Sequence, residues 1–465
     1  MIRRSAMLAS IPIVLAVLCA AIAPRASAPP PTGTVALTHV TLIDGMGGAP
    51  RADMTLLVAG RRIAAIFPSG SRALPPGARV EDWRGHWVIP GLIDSHVHLG
   101  TQQREPRVLR LLLQAALMGG VTTVRDMGGD LDVVVPLARA ASADTSSSPR
   151  VFYSAVLAGE GSRWFTPPLG PIAAGHHDVG QAPGARRVAT PAEAVRAVAD
   201  ARAMGVTAIK LYSHLPPAVV RVATAEAHRL GMRVWSHASI NPTRPQDAIG
   251  AGVDVLSHGD QLIWAAADSA PPGGDAYRAA QSRLIASVTP AHPAVTAALR
   301  EMRRRGTLLD PTLFIIALNA RDTAGRVNPR TMAQFRFAVA IARRADSLGI
   351  GIVAGTDHVG GSTPNLHAEL QLLADSAGLT PLEAITAATR TAARALGAQD
   401  SLGTLRPGML ADLVILSADP AADIANTQCV AGVMKGGTLR RRTTPLRTGP
   451  LAHAPRSCCS TGGLD

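Results

Sequence analysis

From Trp87 onward the chain alternates short apolar runs with amphipathic stretches, and it does so eight times. The first run is Trp87-Val88-Ile89, leading into Gly91-Leu92-Ile93-Asp94. The others are Val121–Asp126, Arg150–Tyr153, Ala208–Leu211, Met232–His237, Val253–His258, Thr307–Asp310 and Gly351–Asp357. Amphipathic stretches such as 191–204, 217–230 and 331–348 lie between them. Glycine tends to close a stretch just before the next run, as a helix C-terminus favours. Eight strand–helix units predict an α/β fold, a (β/α)8 TIM-like barrel. A doubly wound open sheet fits less well, because no glycine-rich phosphate turn follows the first run.

The flanks have a different texture. Short strand patterns broken by Gly-Gly and Pro-Pro-Gly fill residues 29–87, and similar ones return over 401–442. They predict a small β-sandwich formed by both chain ends around a barrel over 88–400. Lys435 is expected on the surface of that β unit. Residues 443–465, rich in Pro, Arg, Ser and Gly, read as a flexible tail. Apolar residues make up 47% of the chain and aromatics only 3%, so the core is aliphatic.

Residues 1–28 read as a signal peptide. Arg3-Arg4 precede a short apolar run, Ile11 to Ala23, and Ala26-Ser27-Ala28 fits a small-x-small cleavage site. The run is too short to span a bilayer comfortably. The expectation is an exported protein, periplasmic or secreted, with no stable membrane insertion after cleavage. Cleavage would remove Arg3, Arg4 and Arg25 and no acid from a chain of net charge +13. Cys429, Cys458 and Cys459 would remain, and an odd count argues against a disulfide framework. The basic charge is dispersed and aromatics are scarce, so no nucleic-acid partner is expected. A homo-oligomer is compatible with the sequence.

Chemistry gathers at the ends of the predicted strands, the face on which such barrels build active sites. His96 and His98 follow the first strand, Lys210 lies in the fourth, and His237, His258 and Asp357 end the fifth, sixth and eighth. Imidazole and carboxylate are ligands for zinc and similar divalent ions. His96 and His98 stand two apart in an extended segment, so both side chains point one way. Lys210 is singular. Of 46 basic residues only Lys210 and Lys435 are lysine. A buried ammonium is pushed toward the neutral amine, which can do chemistry a guanidinium cannot.

The stretch Val88-Ile89-Pro90-Gly91-Leu92-Ile93-Asp94-Ser95-His96-Val97-His98-Leu99 resembles the first-strand motif of the amidohydrolase superfamily. Leu42-Ile43-Asp44-Gly45 and residues 402–414 resemble its flanking β-domain motifs. The resemblance implies a binuclear centre with two divalent ions, zinc being the expected metal. His96, His98 and Asp357 would bind one ion and His237 and His258 the other. Lys210, carrying a carbon dioxide-derived carbamate, would bridge them. Two metals lower the pKa of a bridging water and polarise a carbonyl, and Asp357 would serve as general base and then acid. Superfamily deaminases carry a Glu where this chain has Ile240. Imidazolonepropionases resemble the chain in the β domain but lack the bridging lysine. The chain is most similar to prolidase-like and related dipeptidase members, through Thr122–Asp126 and Leu379–Ala384.

Other residues carry weaker expectations. Tyr212 could donate to an oxyanion. His176 lies in a Gly- and Pro-rich loop where substrate could pass, and Arg125 could bind a substrate carboxylate. The expected function is therefore hydrolysis of an amide-type C–N bond in a small molecule, a dipeptide or N-acyl amino acid. A lactone or ester hydrolase on the same centre, or a non-catalytic extracytoplasmic binding protein, are the alternatives.

Overall fold

The computed structural model describes residues 33–101, 105–143, 145–269, 274–321, 325–359, 365–442, 451–455 and 458. The expected signal peptide lies outside these residues. Seven strands form a continuous parallel ladder: Leu92–His98, Val121–Asp126, Arg150–Ala158, Ala208–Leu211, Arg233–His237, Val255–Ser257 and Leu308–Asp310. The eighth position closes the ring. Ile352 bridges Leu309, and His358–Val359 pairs with Val97 and His98 of the first strand. The result is an α/β TIM-like barrel.

The eighth segment is less regular than the expected strand over Gly351–Asp357. Asp357 adopts φ 49, in the left-handed region, which interrupts a ladder. Side chains replace the missing ladder bonds: Asp94 Oδ1 accepts from Thr356 N at 3.1 Å and Oδ2 from the Thr356 hydroxyl at 2.8 Å. Burial pushes Asp94 up to about 7, against the hydrogen bonds from Thr356 and His96.

Local sequence explains the helices that wrap the ring. Seven begin with proline in the first turn, for example Pro191–Ala203, Pro217–Arg229 and Pro293–Arg305. Proline loses nothing there, because that N–H has no helical partner. Thr190 and Glu193 form a capping box at one start, and Thr380 and Glu383 at another. Pro293–Arg305 stops at Gly306, whose φ of 73 favours glycine, and the seventh strand follows at once. Leu109, Leu113, Val198, Val220, Leu299 and Ile341 turn inward onto the strands.

A second sheet of eight strands joins residues from both ends of the chain. Leu413–Leu416 pairs antiparallel with Trp87–Pro90, which pairs in turn with Thr34–Leu42. Trp87–Pro90 thus belongs to this sheet, although the sequence reads it as leading into the barrel. The transition falls at Gly91, where a Cβ would lie 2.2 Å from Thr122 Oγ1. Val88 packs into the core of this sheet and Ile89 into that of the barrel.

Lys435 departs from its expected surface position. It is fully buried, and its ammonium donates to Ala141 O, Ser146 Oγ and Ser148 O within 2.8 Å and to Ala143 O at 3.1 Å. Acceptors on four sides make burial of this charge tolerable. The described part of the expected flexible tail is also tied down. His453 N donates to Gln371 at 2.9 Å, and Cys458 forms a disulfide with Cys429. An odd cysteine count did not exclude one bridge. Among the described residues no helix is long and apolar enough to cross a membrane.

Candidate metal centre and active site

A cavity of 690 Å³ opens at the carboxyl ends of the strands, with His98, Tyr212, His237, His258 and Asp357 in its wall. Asp357 draws three of the histidines together. Its Oδ1 lies 3.0 Å from His98 Nε2 and 3.3 Å from His96 Nε2, and its Oδ2 lies 3.8 Å from His258 Nδ1. His237 adjoins the group, its ring 4.4 Å from that of His258 and 4.2 Å from Tyr212. His258 and Asp357 both have positive φ, 69 and 49. Such strain concentrates at functional sites. Gly355 is required beside them, since a Cβ there would lie 2.7 Å from both Asp310 Oδ1 and His96 Cβ.

Electrostatics sorts these groups. Burial holds His96, His237 and His258 well below the usual imidazole range, which keeps them neutral and able to ligate. Burial also opposes ionisation of Asp357, but the surrounding His96, His98 and His258 outweigh it and hold its carboxyl low.

Lys210 lies beneath, 1% exposed, donating to Ser257 Oγ at 3.2 Å. Burial lowers its pKa, against the pull of Asp310 and Asp357. Ser257 donates onward to Asp310 Oδ2 at 2.9 Å, and the same oxygen lies 2.7 Å from His96 Nδ1. Burial raises the Asp310 carboxyl, and Lys210 counters it.

The donor set fits a divalent ion. His96, His258 and Asp357 each offer one ligand atom, all within 4.8 Å of one another. With His96 Nδ1 engaged by Asp310, Nε2 is the nitrogen left to ligate, the usual arrangement of a carboxylate behind a metal-bound histidine. His98 Nδ1 and Asp310 Oδ1 are buried without a partner among the described residues, as in a site that is completed by another group.

Two expected residues stand elsewhere. Arg125 is fully buried, its guanidinium 5.4 Å from the Trp235 ring and 5.9 Å from Phe152, with one nitrogen on Leu396 O. It does not line the cavity, because inward-facing residues of the second strand fill the barrel interior. His176 is exposed on its loop and is likewise absent from the wall. Tyr212 does line the cavity, and burial pushes its phenol up, so it remains a proton donor. Nothing in the sequence singled out Asp310, Ser257, Thr312, whose hydroxyl lies 3.0 Å from His258 Nδ1, or Arg163, which donates to the Tyr212 hydroxyl. Asp310 ends the seventh strand, so its position relative to the other strand ends was the available signal.

Barrel and donor set together define a metal-dependent hydrolase. The profile of the amidohydrolase family matches residues 87–440, and the chain belongs to that family. It is similar to an imidazolonepropionase from Ralstonia nicotianae, 28% identical over 87% of this chain and 98% of that protein. That likeness runs well beyond the β region. A dihydroorotase from Pelotomaculum thermopropionicum is 26% identical over 82% of this chain and 88% of its own length. Among solved structures, a putative prolidase from Bifidobacterium longum superposes with a TM-score of 0.65 at 28% identity, covering 90% of this chain and 97% of its own. These relatives are hydrolases, and this chain is a metal-dependent amidohydrolase acting on C–N bonds of small molecules.

Proposed function

We propose that the chain hydrolyses the amide bond of a dipeptide or N-acyl amino acid at a binuclear zinc centre. The observation that carries this reading is the Asp357 carboxylate within 3.0–3.8 Å of nitrogens of His98, His96 and His258, in the wall of an open cavity. His96, His98 and Asp357 would hold one ion and His237 and His258 the other, with Lys210 as a carbamate between them. When bound, such ions lower the pKa of a water and polarise the scissile carbonyl.

The chain's own groups do the rest. Asp357 is placed to take the proton from the attacking water and return it to the leaving nitrogen. Tyr212 can donate its phenol proton toward the carbonyl oxygen as charge develops there. Trp164 packs 4.7 Å from the Tyr212 ring and 5.8 Å from His98, holding an apolar wall against both. The Ser257–Asp310–His96 chain fixes which His96 nitrogen faces Asp357.

We also propose export to an oxidising compartment. The Cys429–Cys458 bridge supports it, because such bonds persist outside the reducing cytosol. Mass spectrometry of the exported protein should find a first residue near Pro29, and a mature protein starting at Met1 would refute this. The activity is tested by assaying dipeptides and N-acyl amino acids with zinc, manganese and cobalt. Hydrolysis that chelation abolishes is expected. Turnover confined to esters and lactones would overturn the amide reading.

A further inference from the structure

Arg163 has no part in the metal cluster, yet its side chain is exposed and lines the cavity. It opens a one-turn segment, Arg163–Phe165. The turn is pinned by Ser162, whose hydroxyl accepts from Trp164 N at 3.3 Å and lies 2.8 Å from Ser213 Oγ, just past the fourth strand. Arg163 Nε donates to the Tyr212 hydroxyl at 2.6 Å. The guanidinium is thus fixed by one nitrogen and lies 5.7 Å from the Tyr212 ring, and its two terminal nitrogens have no hydrogen-bond partner among the described residues.

The rest of the wall is charged differently. Arg278, the other arginine there, is paired with Asp275. Of the two acids lining the cavity, Asp357 is engaged by histidines, and Asp260 accepts from Gln281 at 2.9 Å. Among the described wall residues Arg163 is the arginine with no carboxylate in hydrogen-bond contact, and Asp357 acts on it only through space. A planar guanidinium with its outer edge free matches a carboxylate through two parallel hydrogen bonds.

Resting on the amide-hydrolase reading, we propose that Arg163, braced by Tyr212, receives the α-carboxylate of the amino acid released by the reaction. The position favours that carboxylate over one on the acyl side. An α-carboxylate is one carbon from the nitrogen that Asp357 protonates, so its receptor must sit close to Asp357. Tyr212, which carries Arg163, packs against His237 of the same cluster, and Asp357 acts electrostatically on Arg163. The Tyr212 oxygen accepts from Arg163 and still has its own proton to donate. The preferred substrate therefore has a free carboxylate next to the scissile nitrogen, and carboxamide or ester derivatives are disfavoured.

The test compares N-acyl amino acids with their C-terminal carboxamides. In the metal-loaded wild type, kcat/KM should favour the acid by about 10- to 100-fold, the scale of hydrogen bonds to a charged group. Arg163→Gln should bring the acid-to-carboxamide ratio close to one, chiefly through KM, and Arg163→Lys should restore part of it. A second measurement needs no variant: the free amino acid should inhibit wild-type turnover more strongly than its amide. Equal wild-type rates on acid and carboxamide, or an unchanged ratio in folded Arg163→Gln, would overturn the receptor while leaving amide hydrolysis standing. No hydrolysis of either compound with any of the three metals would sink the functional reading, and the receptor with it.

Discussion

His96 Nδ1 and Asp310 Oδ2 lie 2.7 Å apart, so the first and seventh strands of the barrel meet through one hydrogen bond below the cavity. Both side chains are almost wholly buried. The bond selects the tautomer of His96 and aims the other nitrogen at Asp357. Asp310→Asn keeps the size but removes the anionic acceptor. We expect about 10- to 100-fold weaker metal binding, the usual effect of losing a partner behind a ligating histidine. Metal titration of the apo variant against the wild type measures it, and unchanged affinity would refute the role.

Asp357 and His258 should fail in different ways. Asp357→Asn retains one ligating oxygen but no base, so it should keep bound metal and lose roughly 10²–10⁴-fold in rate. His258→Ala should lose activity through metal loss, and excess metal should partly rescue it. Metal content and turnover, measured together on each variant, separate the two roles. An Asp357→Asn enzyme with full metal and near-normal turnover would point to another base.

Lys210 tests the bridge. Lys210→Ala should lose metal and turnover, and short carboxylic acids should restore part of both by supplying the missing oxygens. Lys210→Arg keeps the charge but cannot form a carbamate, so it should remain inactive. Near-normal turnover of Lys210→Arg would refute a carbamate bridge.

His367 predicts acid sensitivity away from the centre. Its ring is buried between Thr427 Oγ1 at 3.0 Å and Gly119 O at 2.9 Å, and burial lowers its pKa from 6.5 to about 4. The folded value lies below the unfolded one, so this site contributes its full stability above about pH 6.5. That contribution is lost as pH falls toward 4, and amounts to about 3 kcal/mol. Chemical denaturation at pH 7.5 and pH 5 should show a smaller acid loss for His367→Gln than for the wild type. Equal losses would show that His367 does not carry the effect.

What the sequence disclosed depends on where each residue's cause lies. His96, His98, His258 and Asp357 could be grouped from sequence because a ligand type at a strand end is a local signal, and the barrel brings such ends together. Asp310 had the same position, but a single aspartate ending a strand looks like an ordinary cap. Its meaning appears only when His96, 214 positions away, is seen beside it. Arg125 was misplaced because alternation along a strand tells inside from outside, not cavity from barrel interior. The broken eighth strand follows from the left-handed backbone of Asp357, which no apolar pattern announces. Lys435 misled for a related reason, since its acceptors come from residues 141–148, nearly three hundred positions earlier.

That lysine also limits how the molecule can be divided. Its strand, Val430–Lys435, lies late in the chain, yet it supplies the cation on which the carbonyls of Ala141, Ala143 and Ser148, just ahead of the third strand, converge. A fragment ending before it would take from those carbonyls and Ser146 the cation they share. The barrel is therefore not a portable module that can be excised or transplanted at its apparent borders. Any chimera built on it must carry the far end of the chain as well.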